Sequence, residues 1–89
     1  MIEKKITIIN KLGLHARAAA KLVTLASGFK STFELKSSTK TANGKSIMGL
    51  MMLAACQGSE LTLLICGSDE QAAVEALEKL INARFDEAE

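Results

Sequence analysis

The chain has no proline, no tryptophan, no tyrosine and only one histidine in 89 residues. Without proline, no turn or helix start is set by a fixed φ, so glycines and capping side chains must punctuate the fold. Three phenylalanines are the only aromatic rings, so the core is expected to be aliphatic. The two cysteines, Cys56 and Cys66, make no disulfide framework and lack the spacing of a redox motif or a zinc site. They are expected to be small apolar fillers in a reducing compartment. Neither sign of charge is in excess: 11 Lys and Arg face 10 Asp and Glu, for a net charge of +1. That excludes the basic balance of a general nucleic-acid binder. No apolar run is long enough to span a bilayer, and Met1-Ile2-Glu3-Lys4-Lys5 is charged with no apolar signal segment. The expectation is a cytoplasmic chain with no membrane insertion. A lone histidine without neighbouring carboxylates or thiolates also argues against a metal site. No histidine-plus-orienter pair for hydrolysis can be read from the sequence.

What is present is enough apolar residue, 48% of the chain, for one small domain over residues 1–89. Residues 2–9 are strand-like, with β-branched Ile6, Ile8 and Ile9. Asn10-Lys11-Leu12-Gly13 is a loop. Ala19, Leu22, Val23 and Ala26 then recur at the spacing of one buried helical face, which predicts a helix over residues 16–27. His15 falls at or beside its N-cap, and Gly28 is expected to end it in the left-handed conformation. Residues 31–36 alternate, with Ser31, Phe33 and Leu35 on one face. Ser37-Ser38 reads as a two-residue turn, residues 39–42 as a returning strand, and Asn43-Gly44 as a second turn. Ser46 fits the N-cap of a short helix over residues 46–53. Residues 60–66 are the most apolar strand and are expected inside the sheet. Ser68 and Gln71 have the spacing of a capping box. Ala73, Leu77, Leu80 and Ile81 line a last helix ending near Arg84, and the acidic tail from Asp86 is expected to fray. The order β-α-β-β-α-β-α predicts an α+β fold, with helices on one face of a mostly antiparallel sheet.

The chemistry concentrates in two stretches. In Gly13-Leu14-His15-Ala16-Arg17-Ala18, a neutral imidazole at a helix start can attack phosphorus and form a phosphoramidate. The free N–H groups of Ala16, Arg17 and Ala18 and the positive end of the helix suit an anion. Arg17 adds a guanidinium, which binds phosphate oxygens in pairs. The plain alternative is that His15 only caps the helix and Arg17 is solvated. In Ser46-Ile47-Met48-Gly49-Leu50-Met51-Met52-Leu53, Ser46 has an N-cap's place and could also carry a phosphate. Met48, Met51 and Met52 at helical spacing are by default core. A segment this short and apolar leaves one side for docking, with Arg17, Lys21 and Lys45 as a basic rim.

Asn10-Lys11-Leu12-Gly13-Leu14-His15-Ala16-Arg17 resembles the active-site motif of the HPr family. These are the histidine-containing phosphocarriers of the bacterial phosphoenolpyruvate-dependent phosphotransferase system. Lys45-Ser46-Ile47-Met48-Gly49-Leu50 resembles the family's regulatory serine site, and the resemblance covers essentially the whole chain. It implies an open-faced β-sandwich: a four-stranded antiparallel sheet of order 1-4-2-3 with three helices on one face. It implies a carrier rather than an enzyme, without a cofactor. His15 would accept a phosphoryl group on Nδ1 from enzyme I and pass it to IIA proteins or domains, with Arg17 steadying the phosphate. Ala20, Ile47, Met48 and Met51 would match the docking patch. Ser46 would match the target of the HPr kinase/phosphorylase. A monomer is expected.

Two departures stand out. Ala18 replaces the family's usual proline, which keeps an N–H at the helix start. Thr24 and Ser27 stand where several members carry lysines, which weakens electrostatic steering of partners. The leading motif and Leu50-Met51-Met52-Leu53 also resemble the nitrogen-regulatory branch of the family. The alternative is therefore a mainly regulatory interaction protein of a nitrogen-type or permease-less system, with a transcriptional regulator among its partners. A third reading is a small ligand-binding domain with no covalent chemistry.

Overall fold

A computed structural model describes residues 1–88. Strand β1 (Ile2–Thr7) is followed by helix α1 (Ala16–Ser27), strands β2 (Thr32–Lys36) and β3 (Thr41–Asn43), and helix α2 (Ile47–Met52). Strand β4 (Glu60–Cys66) and helix α3 (Glu70–Asn82) follow, and a short turn over Arg84–Asp86 closes the order. The sheet runs β1-β4-β2-β3, with every pairing antiparallel. This is the expected 1-4-2-3 order, with the most apolar strand inside.

Alternation decides the layers. In β4, Leu61, Leu63 and Ile65 are buried, and Phe33 and Leu35 in β2 face the same way. Thr32, Glu34 and Lys36 are exposed on the open side. The helices supply the other half of the core through Ala18, Ala19, Leu22 and Ala26 of α1, Leu50 of α2, and Ala73, Val74, Leu77 and Ile81 of α3. One aliphatic cluster joins all of them, with Phe33 and Phe85 as its only fully engaged rings.

Several local expectations change. Strand β1 stops at Thr7, because Ile8 instead exchanges bonds with the loop after α2: its N–H donates to Ser59 (2.9 Å) and its carbonyl accepts from Gly58 (2.7 Å). The β2–β3 turn spans residues 37–40, with the Ser37 N–H on the Lys40 carbonyl (2.8 Å) and the Lys40 N–H on Ser37 Oγ (3.0 Å). The returning strand therefore starts two residues late. Gly28 caps α1 with φ −80°, right-handed rather than left-handed, and donates to Leu25 and Ala26. Both cysteines are exposed, so neither is a core filler.

Helix α3 begins at Glu70 with Asp69, not Ser68, as its N-cap, and no side chain caps it. The Asp69 carboxylate is engaged elsewhere. It accepts from the backbone N–H of Lys30 (2.8 Å) and of Ser31 (3.0 Å), and from the Ser31 hydroxyl. This ties the β4–α3 loop to the start of β2. The Ser31 hydroxyl bond, then the Lys30 amide bond, hold the Asp69 carboxyl below the ordinary aspartate range. A carboxyl that is more acidic folded than unfolded favours the folded chain above the ordinary aspartate value. That contribution disappears as pH falls through the folded value. Stability should therefore drop on acidification below about pH 4, and Asp69→Asn should flatten this part of the profile. Denaturant midpoints of both proteins across pH 2–6 check it, at roughly half-unit steps around the carboxylate range.

Candidate functional site

The loop before α1 is held by one local bond and one long-range bond that together aim His15. Gly13 takes φ +69°, a left-handed conformation that glycine adopts without strain. Its N–H reaches the Asn10 carbonyl (3.2 Å), and the next N–H, of Leu14, crosses to the Ala55 carbonyl (2.9 Å). Leu14 is buried and anchors the loop. His15 then sits at the N-cap of α1 in extended conformation, and its side chain does not cap the helix. The plain reading of His15 as a capping residue therefore fails. The first intrahelical bond runs from the Ala19 N–H to the His15 carbonyl (2.8 Å). The amides of the first turn precede that bond. Ala16 and Arg17 are exposed, whereas Ala18 is 0% exposed. Ala16 and Arg17 therefore lie at the surface of the helix start, and Ala18 lies behind them.

The imidazole is half-buried and its Nε2 is hydrogen-bonded to the carboxylate of Glu87. Glu87 also accepts from Asn10 Nδ2 (3.0 Å), and the same amide donates to the Gly13 carbonyl (2.8 Å). Asn10 is fully buried, and its Oδ1 has no partner among the described residues. Burial pushes the Glu87 carboxyl up. Hydrogen bonds from Asn10 and His15, the His15 ring when it is protonated, and the Arg17 charge more than offset this, leaving it below the ordinary glutamate range. His15, Ala16, Arg17, Leu12, Asp86 and Glu87 share one open cleft of about 790 Å³.

The tail from Asp86 is expected to fray; Glu89 lies outside the described residues, and Asp86 and Glu87 are instead held against Lys21, His15 and Asn10. Arg84, Phe85 and Asp86 take φ of 56°, 53° and 62°, three left-handed residues in a row, none of them glycine. Left-handed backbone costs roughly 1–2 kcal/mol per non-glycine residue, so something must hold it. Phe85 is fully buried in the core. Lys21 Nζ donates to the Phe85 carbonyl (2.8 Å) and lies 3.7 Å from the Asp86 carboxylate. Glu87 follows at once, on His15. No residue pattern announces Glu87, and Asn10 stands in the motif before His15 with no role attached to it. The only hints are Phe85 in an otherwise polar end and an asparagine three residues before the loop glycine.

The second stretch is split by the structure. Ser46 caps α2, its Oγ accepting from the Gly49 N–H (3.0 Å), as its place in the sequence predicts. The methionine stripe is not core: Met48 is 72% exposed, Met52 64%, and Met51 and Ile47 43% each. Only Leu50 of α2 is buried. Ala20 is half-buried on α1, in a shallow groove with Arg17, Thr24 and Leu80. Of the expected basic rim, Lys21 is spent on the tail. Lys45 donates to the Phe29 carbonyl (3.0 Å) and lies over the Phe33 ring. Among the described residues no group of three metal-ligating side chains occurs, and no helix is long and apolar enough to cross a membrane.

Comparison with known proteins agrees with this arrangement. The sequence profile of one family, described as "PTS HPr component phosphorylation site", matches residues 2–83. The chain is 53% identical over 89 residues to the phosphocarrier protein HPr of Cupriavidus necator, covering 100% of both. It is 47% identical over 87 residues to the phosphocarrier protein NPr of Shewanella violacea, covering 98% of this chain and 96% of that one. The crystal structure of HPr-C-His from Thermoanaerobacter tengcongensis superposes with a TM-score of 0.94 at 45% identity, covering 100% of both chains. The chain belongs to the HPr family, the phosphocarriers of the phosphotransferase system, which carry a phosphoryl group rather than act as enzymes.

Proposed function

We propose that this chain accepts a phosphoryl group from phosphorylated enzyme I on Nδ1 of His15 and hands it to a IIA protein or domain. One observation carries the reading. The only imidazole in the chain stands at the open N-terminus of α1, spends nothing on capping, and shares a cleft with Arg17. The Arg17 guanidinium and the amides of Ala16 and Arg17 would bind the phosphoryl oxygens. Ala18 would shape the helix start from behind them. The exposed face of Ile47, Met48 and Met51, with Ala20 beside Arg17, would dock the partners. The carrier would work in the cytoplasm.

Incubation with enzyme I and labelled phosphoenolpyruvate should give an acid-labile, base-stable phosphoprotein, and His15→Ala should give none. Equal labelling of His15→Ala would end the reading.

Ser46 supports a second role. It is half-exposed at a helix start and would be the target of an HPr kinase/phosphorylase. A phosphate there would add about two negative charges beside the docking methionines and slow transfer at His15. A mainly regulatory carrier, with a transcriptional regulator as partner, is the alternative reading, and one relative is named phosphocarrier protein NPr. A kinase that leaves the protein unmodified in the presence of ATP would count against this second role.

A further inference from the structure

We propose that Glu87 is a positioning residue for transfer at His15, set in place by Asn10 and by the left-handed turn of the tail. This rests on His15 being the acceptor. With Nε2–H donating to the Glu87 carboxylate, the ring lone pair lies on Nδ1, and the ring cannot turn over without breaking that bond. During transfer from a phosphohistidine donor, the Nδ1 lone pair forms the new N–P bond. The bond from phosphorus to the donor ring nitrogen breaks, and its electron pair returns to the donor ring. The proton on Nε2 stays in place. His15 thus changes from a neutral ring to an imidazolium bearing the phosphoryl group, and the donor ring gives up the matching positive charge. A carboxylate already at Nε2 meets the charge where it develops, without reorganisation. Arg17 serves the phosphoryl oxygens and Glu87 the other edge of the ring.

Two features set this contact apart from a chance tail contact. Asn10 is fully buried with Oδ1 unpartnered among the described residues, an arrangement that costs stability, yet its Nδ2 bonds both the His15 loop and Glu87. The tail also reaches His15 only through three left-handed residues, and strain of this kind gathers at functional sites.

Three variants test it: Glu87→Gln, which keeps an acceptor oxygen and removes the charge, Glu87→Ala, which removes both, and Asn10→Ala. In the free protein, the His15 Nε2–H proton should be visible in a nitrogen-15 spectrum of wild type. It should weaken in Asn10→Ala and vanish by solvent exchange in Glu87→Ala. In transfer from phosphorylated enzyme I, kcat should fall in the order wild type, Gln, Ala, with KM unchanged. The full loss should be on the order of tenfold, far short of removing an orienter that also selects a general base. A wild-type spectrum without the Nε2 proton, an unchanged kcat in Glu87→Ala, or a rise in KM alone would overturn the inference. Labelling of wild type at His15 would still stand in each case, so the carrier reading fails only on its own test.

Discussion

Phe85→Ala is expected to cost about 3 kcal/mol, at the low end for a buried phenylalanine. For a chain of this size that lowers Tm by roughly 12–24 °C. The ring is fully buried against the aliphatic cluster, so its removal leaves a cavity that rigid neighbours fill only in part. The value sits low because the strained turn that carries Phe85 can let go. Release returns the strain of three left-handed residues, at roughly 1–2 kcal/mol each. Release also carries off the Lys21 bond to the Phe85 carbonyl and the Glu87 bonds to His15 and Asn10. The variant should therefore lose stability and free the His15 ring together. Calorimetry and the His15 ring signals measure the two effects in one sample. A Tm within a few degrees of wild type would show that the tail is not docked on the core.

The second large effect is at Gly13. A Cβ there would stand 2.8 Å from the Cys56 Cα and closer still to the Ala55 carbonyl oxygen. Both are backbone atoms, and the carbonyl already holds the Leu14 N–H. Gly13→Ala combines a left-handed penalty of roughly 1–2 kcal/mol with overpacking of roughly 1–3 kcal/mol. Gly58→Ala is the control, since Gly58 has φ +91° and nothing within 4 Å of an added Cβ. It should show the backbone penalty alone. The difference between the two denaturant midpoints, converted with a common slope, measures how tightly the His15 loop is wedged against residues 55–56. Equal losses would mean that the wedge yields.

The elements legible in the sequence are those set by neighbours along the chain. Helix α1 occupies residues 16–27 as its apolar spacing predicts, and β4 occupies residues 60–66 inside the sheet, as its run of leucines and isoleucine predicts. Ser46 caps α2 because a serine hydroxyl needs only the N–H three residues on. His15 and Arg17 were legible for the same reason: a helix start is a local feature, and both residues lie on it. The methionines of α2 were readable only as a choice. Spacing says which residues share a face, and burial then depends on what packs against it. In this fold α2 buries Leu50 and leaves the methionines out.

What only the tertiary structure decided is which distant polar groups meet. Ser68 and Gln71 had the capping pattern, but Asp69 takes the N-cap place and spends its carboxylate on Lys30 and Ser31, 39 and 38 residues away, so no side chain caps the helix. Lys21 and Lys45 read in sequence as part of a basic rim and instead close backbone carbonyls of the tail and of Phe29. The largest case is the contact between His15 and Glu87, 72 residues apart. A carboxylate in an acidic tail carries no periodicity and no turn chemistry. Its place comes from burying Phe85, which bends the chain end back over α1. Sequence alone determined that a nucleophile stands at the start of α1. Long-range packing, acting through one buried ring and one buried amide, decided what stands beside it.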